Sequence, residues 1–328
     1  MLDDVSLLAL LVAMGLYAAA FIAFALDLAR RSALVADAAT ARQPSAVGAT
    51  AARRGGTATL EREPVSSGPD APVAAGRSIS LNVAMVLLVV GFVVHAVATV
   101  LRGLAASRVP WANMYEFAMT GTLLILSVYL IVLTRRDLRF LGTFVTGLIL
   151  ILLGIAVVQY RVEVSPLPPS LQSYWLVIHV FVAALGTGFF ALAFALSGVQ
   201  LLQFRRESLA ADAQAVKMRF LATLPDSVTL ESMAYRLNIV GFIFWTFTLM
   251  AGAIWAERAW GRYWGWDTKE VWTFIIWVLY AGYIHARATR GWRGSRSAWL
   301  AIIGFSAVMF NFGVVNVFFK GLHTYSGL

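Results

Sequence analysis

Four histidines and one aromatic loop carry most of the chemistry this sequence could perform. The chain of 328 residues contains no cysteine. Disulfides, thiolate metal ligands and a cysteine nucleophile are therefore excluded, and a metal would have to be held by imidazole, thioether or carboxylate. The histidines are His95, His179, His285 and His323. From Trp260 to Glu270 the chain reads WGRYWGWDTKE, which packs three tryptophans, a tyrosine and four charged side chains into eleven residues. No glycine-rich phosphate loop and no Ser-His-Asp pattern accompanies them.

The elements that must position these residues are membrane helices. Hydrophobic residues make up 60% of the chain and charged residues only 13%, against roughly 25% charged in a soluble domain. Such a chain cannot cover its surface with polar groups and belongs in lipid. Eight apolar runs, near 5–28, 80–101, 114–134, 140–159, 173–203, 237–256, 271–288 and 298–319, each approach the ~20 residues of a spanning helix. They are continuous rather than alternating, which argues against a strand barrel. The first run follows Asp3 and Asp4 rather than a basic segment and reads as a span, not a cleavable signal. The expected fold is an all-α polytopic membrane bundle of about eight helices. Residues 1–29 hold the first span, 30–79 a disordered linker rich in Ala, Gly, Ser, Pro and Arg, and 80–328 the main membrane domain. In 205–236, Asp226 or Ser227 is the expected start of a helix after Pro225.

Charge orients the bundle. Of the 26 Lys and Arg residues, 19 fall in the segments near 29–79, 135–139, 204–236 and 287–297. The positive-inside rule makes that side cytoplasmic, so both termini and the tryptophan-rich loop at 256–271 are expected outside. The net charge of +9 then reflects topology rather than nucleic-acid binding. His179, six residues past Ser173, and His323, four past Phe319, fall at the outer face near the loop. His285, 14 residues past Val271, lies roughly 21 Å deeper, toward the cytoplasmic half.

Two outer imidazoles beside an indole platform suit a flat, largely apolar tetrapyrrole, whose iron takes axial ligands from opposite faces. The plainer reading is an interfacial aromatic belt. An intramembrane histidine can likewise be satisfied by a neighbouring carbonyl, and His95 is read that way. Lys269 and Glu270 could form a weak surface pair, or Lys269, Arg258 or Arg262 could meet a ligand's carboxylates. Asn113 is expected to cap a helix, and Glu116, just inside the membrane, requires a partner.

These residues resemble a known family. ERAWGRYWGWDTKEVW, 257–272, is similar to the tryptophan-rich WWD signature of haem-handling proteins. Its WDTKE ending resembles the CcsA branch (also called CcsB or ResC) of cytochrome c maturation more than the CcmC or CcmF branches. VPWANMYEF (109–117), WLVIHVFVAALG (175–186), YIHAR (283–287) and NFGVVNVFFKGLHTYSG (311–327) resemble further segments of that branch, so the likeness covers about 80–328. The core reads YWGWD where the family pattern has two adjacent tryptophans. The resemblance implies that His179 and His323 are the axial ligands of external haem b, carried as cargo, and that His285 ligates haem in transit. It implies that Trp260, Trp264, Trp266 and Asp267 frame the external site. The implied role is the haem-delivering subunit of a cytochrome c synthase in a bacterial plasma membrane, active only with a ResB-like partner (CcsB in some nomenclatures). Apocytochrome c is the implied substrate, thiol-reducing proteins are further partners, and this chain supplies no catalytic nucleophile. Two alternatives stand beside it: a haem exporter without a ligation role, and a b-type electron-transfer subunit with resident haem.

Overall fold

The computed structural model describes residues 1–41, 78–167, 171–209, 220–289, 291–319 and 321–323. The core of the expected linker, 42–77, lies outside them. Eight long helices appear in chain order: α1 Leu2–Ala41, α2 Ile79–Ala106, α3 Met114–Leu133, α4 Gly142–Gln159, α5 Tyr174–Leu209, α6 Ser227–Trp260, α7 Thr268–Thr289 and α8 Ser295–Phe310. A π turn at Asn311–Val315 and a short helix, α9 Asn316–Phe318, continue α8. No strand occurs among the described residues.

Seven of the helices are long and apolar enough to cross a membrane, and the protein is a multi-pass helical membrane protein. The predicted span at 271–288 is a helix of 22 residues, α7, but it is not among the seven. It carries Lys269, Glu270, His285 and Arg287 along with four Trp and Tyr side chains, which lowers its apolar character. α5 and α6 have 36 and 34 residues. At ~1.5 Å per residue each reaches roughly 50 Å, well beyond a bilayer core of about 30 Å. The helix starts follow from local chemistry. Asn113 caps α3 by accepting from the Glu116 amide, at 2.9 Å, and Asp226 caps α6 by accepting from Thr229 at 2.6 Å. Gly261, at φ +69°, ends α6 in the left-handed conformation that costs glycine least.

α1 packs along α2, and α5 along α6; α3 and α8 flank α5, and α7 lies against α6 and α8. Helices in lipid gain little from burying apolar surface against each other, so close packing and internal polar bonds must hold them. Gly241 of α6 lets the Phe190 ring of α5 come so near that a Cβ there would lie 2.7 Å from it. Phe190 in turn stacks on Tyr280 of α7 with ring centroids 3.6 Å apart.

Two polar knots add specificity. His95, fully buried, uses both ring nitrogens: Nδ1 meets the Tyr17 hydroxyl at 3.2 Å and Nε2 the Met119 carbonyl at 3.0 Å. It links α1, α2 and α3 and has no nitrogen left for a ligand. Glu116, also buried, takes Arg102 at 3.0 Å and Arg108 at 2.6 Å. Arg102 also pairs with Asp3 and donates to the Val162 carbonyl at 2.9 Å. The carboxylate that the sequence left without a partner therefore ties the start of the chain and the segment after α4 to the start of α3. A pair this buried needs all its partners, since removing one would strand a charge.

Candidate functional site: a histidine pair beside a cavity

A cavity of about 210 Å³ opens among α3, α5, α6, α7 and the segment after α8. His179, His323, Trp264, Lys269 and Glu270 line it, together with many apolar side chains.

His179 projects from the second turn of α5 toward α6. Its Nδ1 lies 3.0 Å from the Thr248 carbonyl. A carbonyl only accepts, so Nδ1 carries the proton and neutral Nε2 keeps its lone pair. Room for the ring comes from Gly252, where a Cβ would fall 2.7 Å from His179 Cε1. Trp255 stacks on the same imidazole, with centroids 5.8 Å apart and planes at 13°. Thr248, Gly252 and Trp255 stand at i, i+4 and i+7 on α6. This is one helical face, made of an acceptor, a gap and a flat wall.

His323 follows α9 and reaches back over the same indole. Its ring is edge-on to Trp255 at 5.5 Å and to Trp260 at 4.8 Å. Its Nδ1 donates to Asp267 Oδ2 at 3.2 Å, which again leaves Nε2 for a ligand. Asp267 is well anchored. Oδ2 also accepts from the Leu322 amide at 2.7 Å, and Oδ1 from the Lys269 amide at 3.1 Å. The His323 bond, followed by those backbone amides, holds the Asp267 carboxyl well below the usual carboxylate range.

The DTKE sequence explains the local geometry. Asp267 is the N-cap of α7, and Glu270, three residues on, reaches back to it: Oε2 accepts from the Asp267 amide at 3.1 Å and from the Gly265 amide at 2.7 Å. This is a capping box extended by one amide. The two bonds straddle Trp266, whose φ of +59° is unusual for a side chain of that size. The turn throws the Trp266 indole outward, where it is 75% exposed, and sets it edge-on to Trp264 at 5.8 Å.

The site residues expected from sequence therefore divide. His179, His323 and Trp260 meet around Trp255, Asp267 holds His323, and Trp264 lines the cavity. Trp266 sits at the surface beside Trp264. His285 lies apart on an exposed face of α7, 18 residues beyond Asp267 and so roughly 27 Å along the chain axis. Lys269 does not pair with Glu270: its Nζ donates to the Asn311 carbonyl at 3.0 Å and to Asn316 Oδ1 at 2.7 Å. Sequence reasoning missed Trp255 as the common wall, Gly252 as the gap and Glu270 as the brace. The i, i+4, i+7 spacing on α6 and the D-x-x-E spacing were the available signals.

Among the described residues, no group of three or more His, Asp or Glu could enclose a bare metal ion. Two imidazoles, each engaged through Nδ1, instead suit a metal that brings its own equatorial ligands, as haem iron does.

Fold and site define a multi-pass helical membrane protein with paired imidazole donors beside a cavity at one end of its bundle. The profile of the family described as Cytochrome C assembly protein matches residues 111–323. The chain is 33% identical over 248 residues to a cytochrome c biogenesis protein CcsA of Heterosigma akashiwo, covering 67% of this chain and 77% of that one. A CcsA of Guillardia theta is 35% identical over 245 residues, 69% and 80% of the two chains. A CcsA of Prochlorococcus marinus is 30% identical over 271 residues, 76% and 86%. The solved structure of Cytochrome c Heme Lyase CcmF superposes with a TM-score of 0.61 at 15% identity, over all of this chain and half of that one, a likeness of fold. The chain belongs to the cytochrome c assembly family and is a CcsA-type cytochrome c biogenesis protein.

Proposed function

We propose that this protein binds haem between His179 and His323 and presents it for thioether attachment to apocytochrome c, as a subunit of a cytochrome c synthase. The observation that carries the reading is the shared wiring of the two imidazoles. Both lie against Trp255, and both are fixed through Nδ1 with Nε2 left to coordinate. Trp260 and Trp264 border the macrocycle, and Trp266 stands at its approach. The reacting groups, two cysteine thiols and two haem vinyls, belong to the substrates, so the protein's contribution is positioning. The site lies at the extracytoplasmic face of a bacterial plasma membrane. His285, on the exposed face of α7, is the ligand for haem in transit and meets a ResB-like partner there.

The test is co-expression of this chain, the partner and an apocytochrome in a host without its own maturation system, with covalent haem staining as the readout. His179→Ala and His323→Ala should each abolish maturation, and added imidazole should restore part of it by filling the vacant axial position. Full activity of both variants without imidazole would refute the assignment.

A further inference from the structure

We propose that Lys269 is the anion-binding group of the cavity and receives a carboxylate of the haem held between His179 and His323. The assignment rests on the haem reading above and adds how the ligand is oriented.

An ammonium has three donors and no acceptor. Two of those on Lys269 are taken by neutral oxygens, the Asn311 carbonyl and Asn316 Oδ1. The first belongs to the π turn, a wide turn that recurs at functional sites. The third donor remains. Among the described residues, no carboxylate oxygen lies within 4.0 Å of the Lys269 nitrogen. A cation in a largely apolar cavity with no carboxylate in contact is costly to maintain, Asp267 acting on it only from beyond salt-bridge distance, and a ligand anion in contact lowers that cost.

The other basic groups of the loop are engaged elsewhere. Arg258 sits beside Glu257 at 3.5 Å and is mostly exposed. Arg262 lays its guanidinium over Gly265, where a Cβ would fall 0.6 Å from Nη1. Neither lines the cavity, whereas Lys269 does. Glu270, the acidic neighbour in the wall, has one oxygen committed to the amides of Gly265 and Asp267.

Haem carries both carboxylates along one edge and its vinyls away from that edge. Anchoring a carboxylate at the first turn of α7 therefore turns the vinyl edge away from α7. Lys269 becomes the residue that decides which edge of the ring the incoming thiols meet.

The experiment titrates the purified full chain, in nanodiscs with its partner, with iron protoporphyrin IX and with its dimethyl ester, reading the Soret band. The wild-type protein should prefer the free acid by roughly ten- to a hundredfold, the size of one charge-assisted hydrogen bond. Lys269→Met should bind both porphyrins with the affinity the wild type shows for the ester, and Lys269→Arg should keep the preference. The proposal is overturned if the wild type shows no preference, if Lys269→Met retains it, or if Lys269→Met weakens acid and ester equally, which marks a scaffolding role. A wild type that binds neither porphyrin sinks the haem reading, and this assignment with it.

Discussion

Asp267 shows how one side chain joins two tasks. One oxygen starts a helix and the other holds His323 in the tautomer that leaves Nε2 free. Carboxylate partners of metal-bound histidines raise ligand basicity and fix ring orientation. Asp267→Asn keeps an acceptor for the helix cap but loses the charge behind the imidazole. Its haem affinity, measured by titration of the purified complex, should fall about ten- to a hundredfold, the usual cost of losing such a partner, while membrane insertion is unchanged. An affinity equal to wild type would show that the bond to His323 has no part in ligation. The Asp267 role was only partly legible in the sequence. Its place beside the tryptophans marked it for the loop, but its bond to a residue 56 positions away could not be read from spacing.

At the scale of elements, the junction of the aromatic loop with α7 depends on Glu270. Its carboxylate satisfies two amides that flank a left-handed tryptophan, so the loop conformation and the helix start stand or fall together. Glu270→Gln retains an amide oxygen that can complete a capping box. Glu270→Ala leaves both amides unpaired, should cost about 0.5–2 kcal/mol, and should let Trp266 leave its positive-φ turn. Thermal unfolding and limited proteolysis of the loop are the measurements. A Gln variant as labile as the Ala variant would refute the bracing role. The helices themselves were legible because apolar runs of this length admit few alternatives in lipid. The ends of α1, α5 and α6 were not, since helices continue past the apolar stretch once polar residues support them. α1 runs on to Ala41 rather than ending near residue 29.

Across the whole molecule, His285 and the His179–His323 pair sit too far apart for one haem plane to reach all three. The haem reading therefore requires two positions, and His285→Ala distinguishes them. If the outer position fills through the inner one, this variant should lose haem from both, while the double variant His179→Ala, His323→Ala should retain inner haem and fail only at attachment. Spectra of the purified complexes separate the ligand sets. Normal filling of the outer position in His285→Ala would mean that haem arrives by another route. Helix rise alone separated His285 from the outer pair, and α7 runs 18 residues from Asp267 to His285 as one helix. His95 was read as satisfied by a neighbouring carbonyl, and Met119 supplies it; spacing could not name Met119 or Tyr17, because they arrive from two other helices.

The two imidazoles of the pair are mounted unequally. His179 rises from a helix of 36 residues and is clamped by an α6 carbonyl, a glycine gap and an indole wall, so displacing it means prying two long helices apart. His323 stands on a tail beyond the last helix and is held at Asp267 by its own ring and by the neighbouring Leu322 amide. One side of the site thus behaves as a hinge post and the other as a latch. Undoing the latch gives up the two bonds to Asp267 and the edge contacts with Trp255 and Trp260. On the proposed haem reading, a disc gripped this way could be let go from one face without being loosened from the other, and a finished product could leave while the post stays in place for the next.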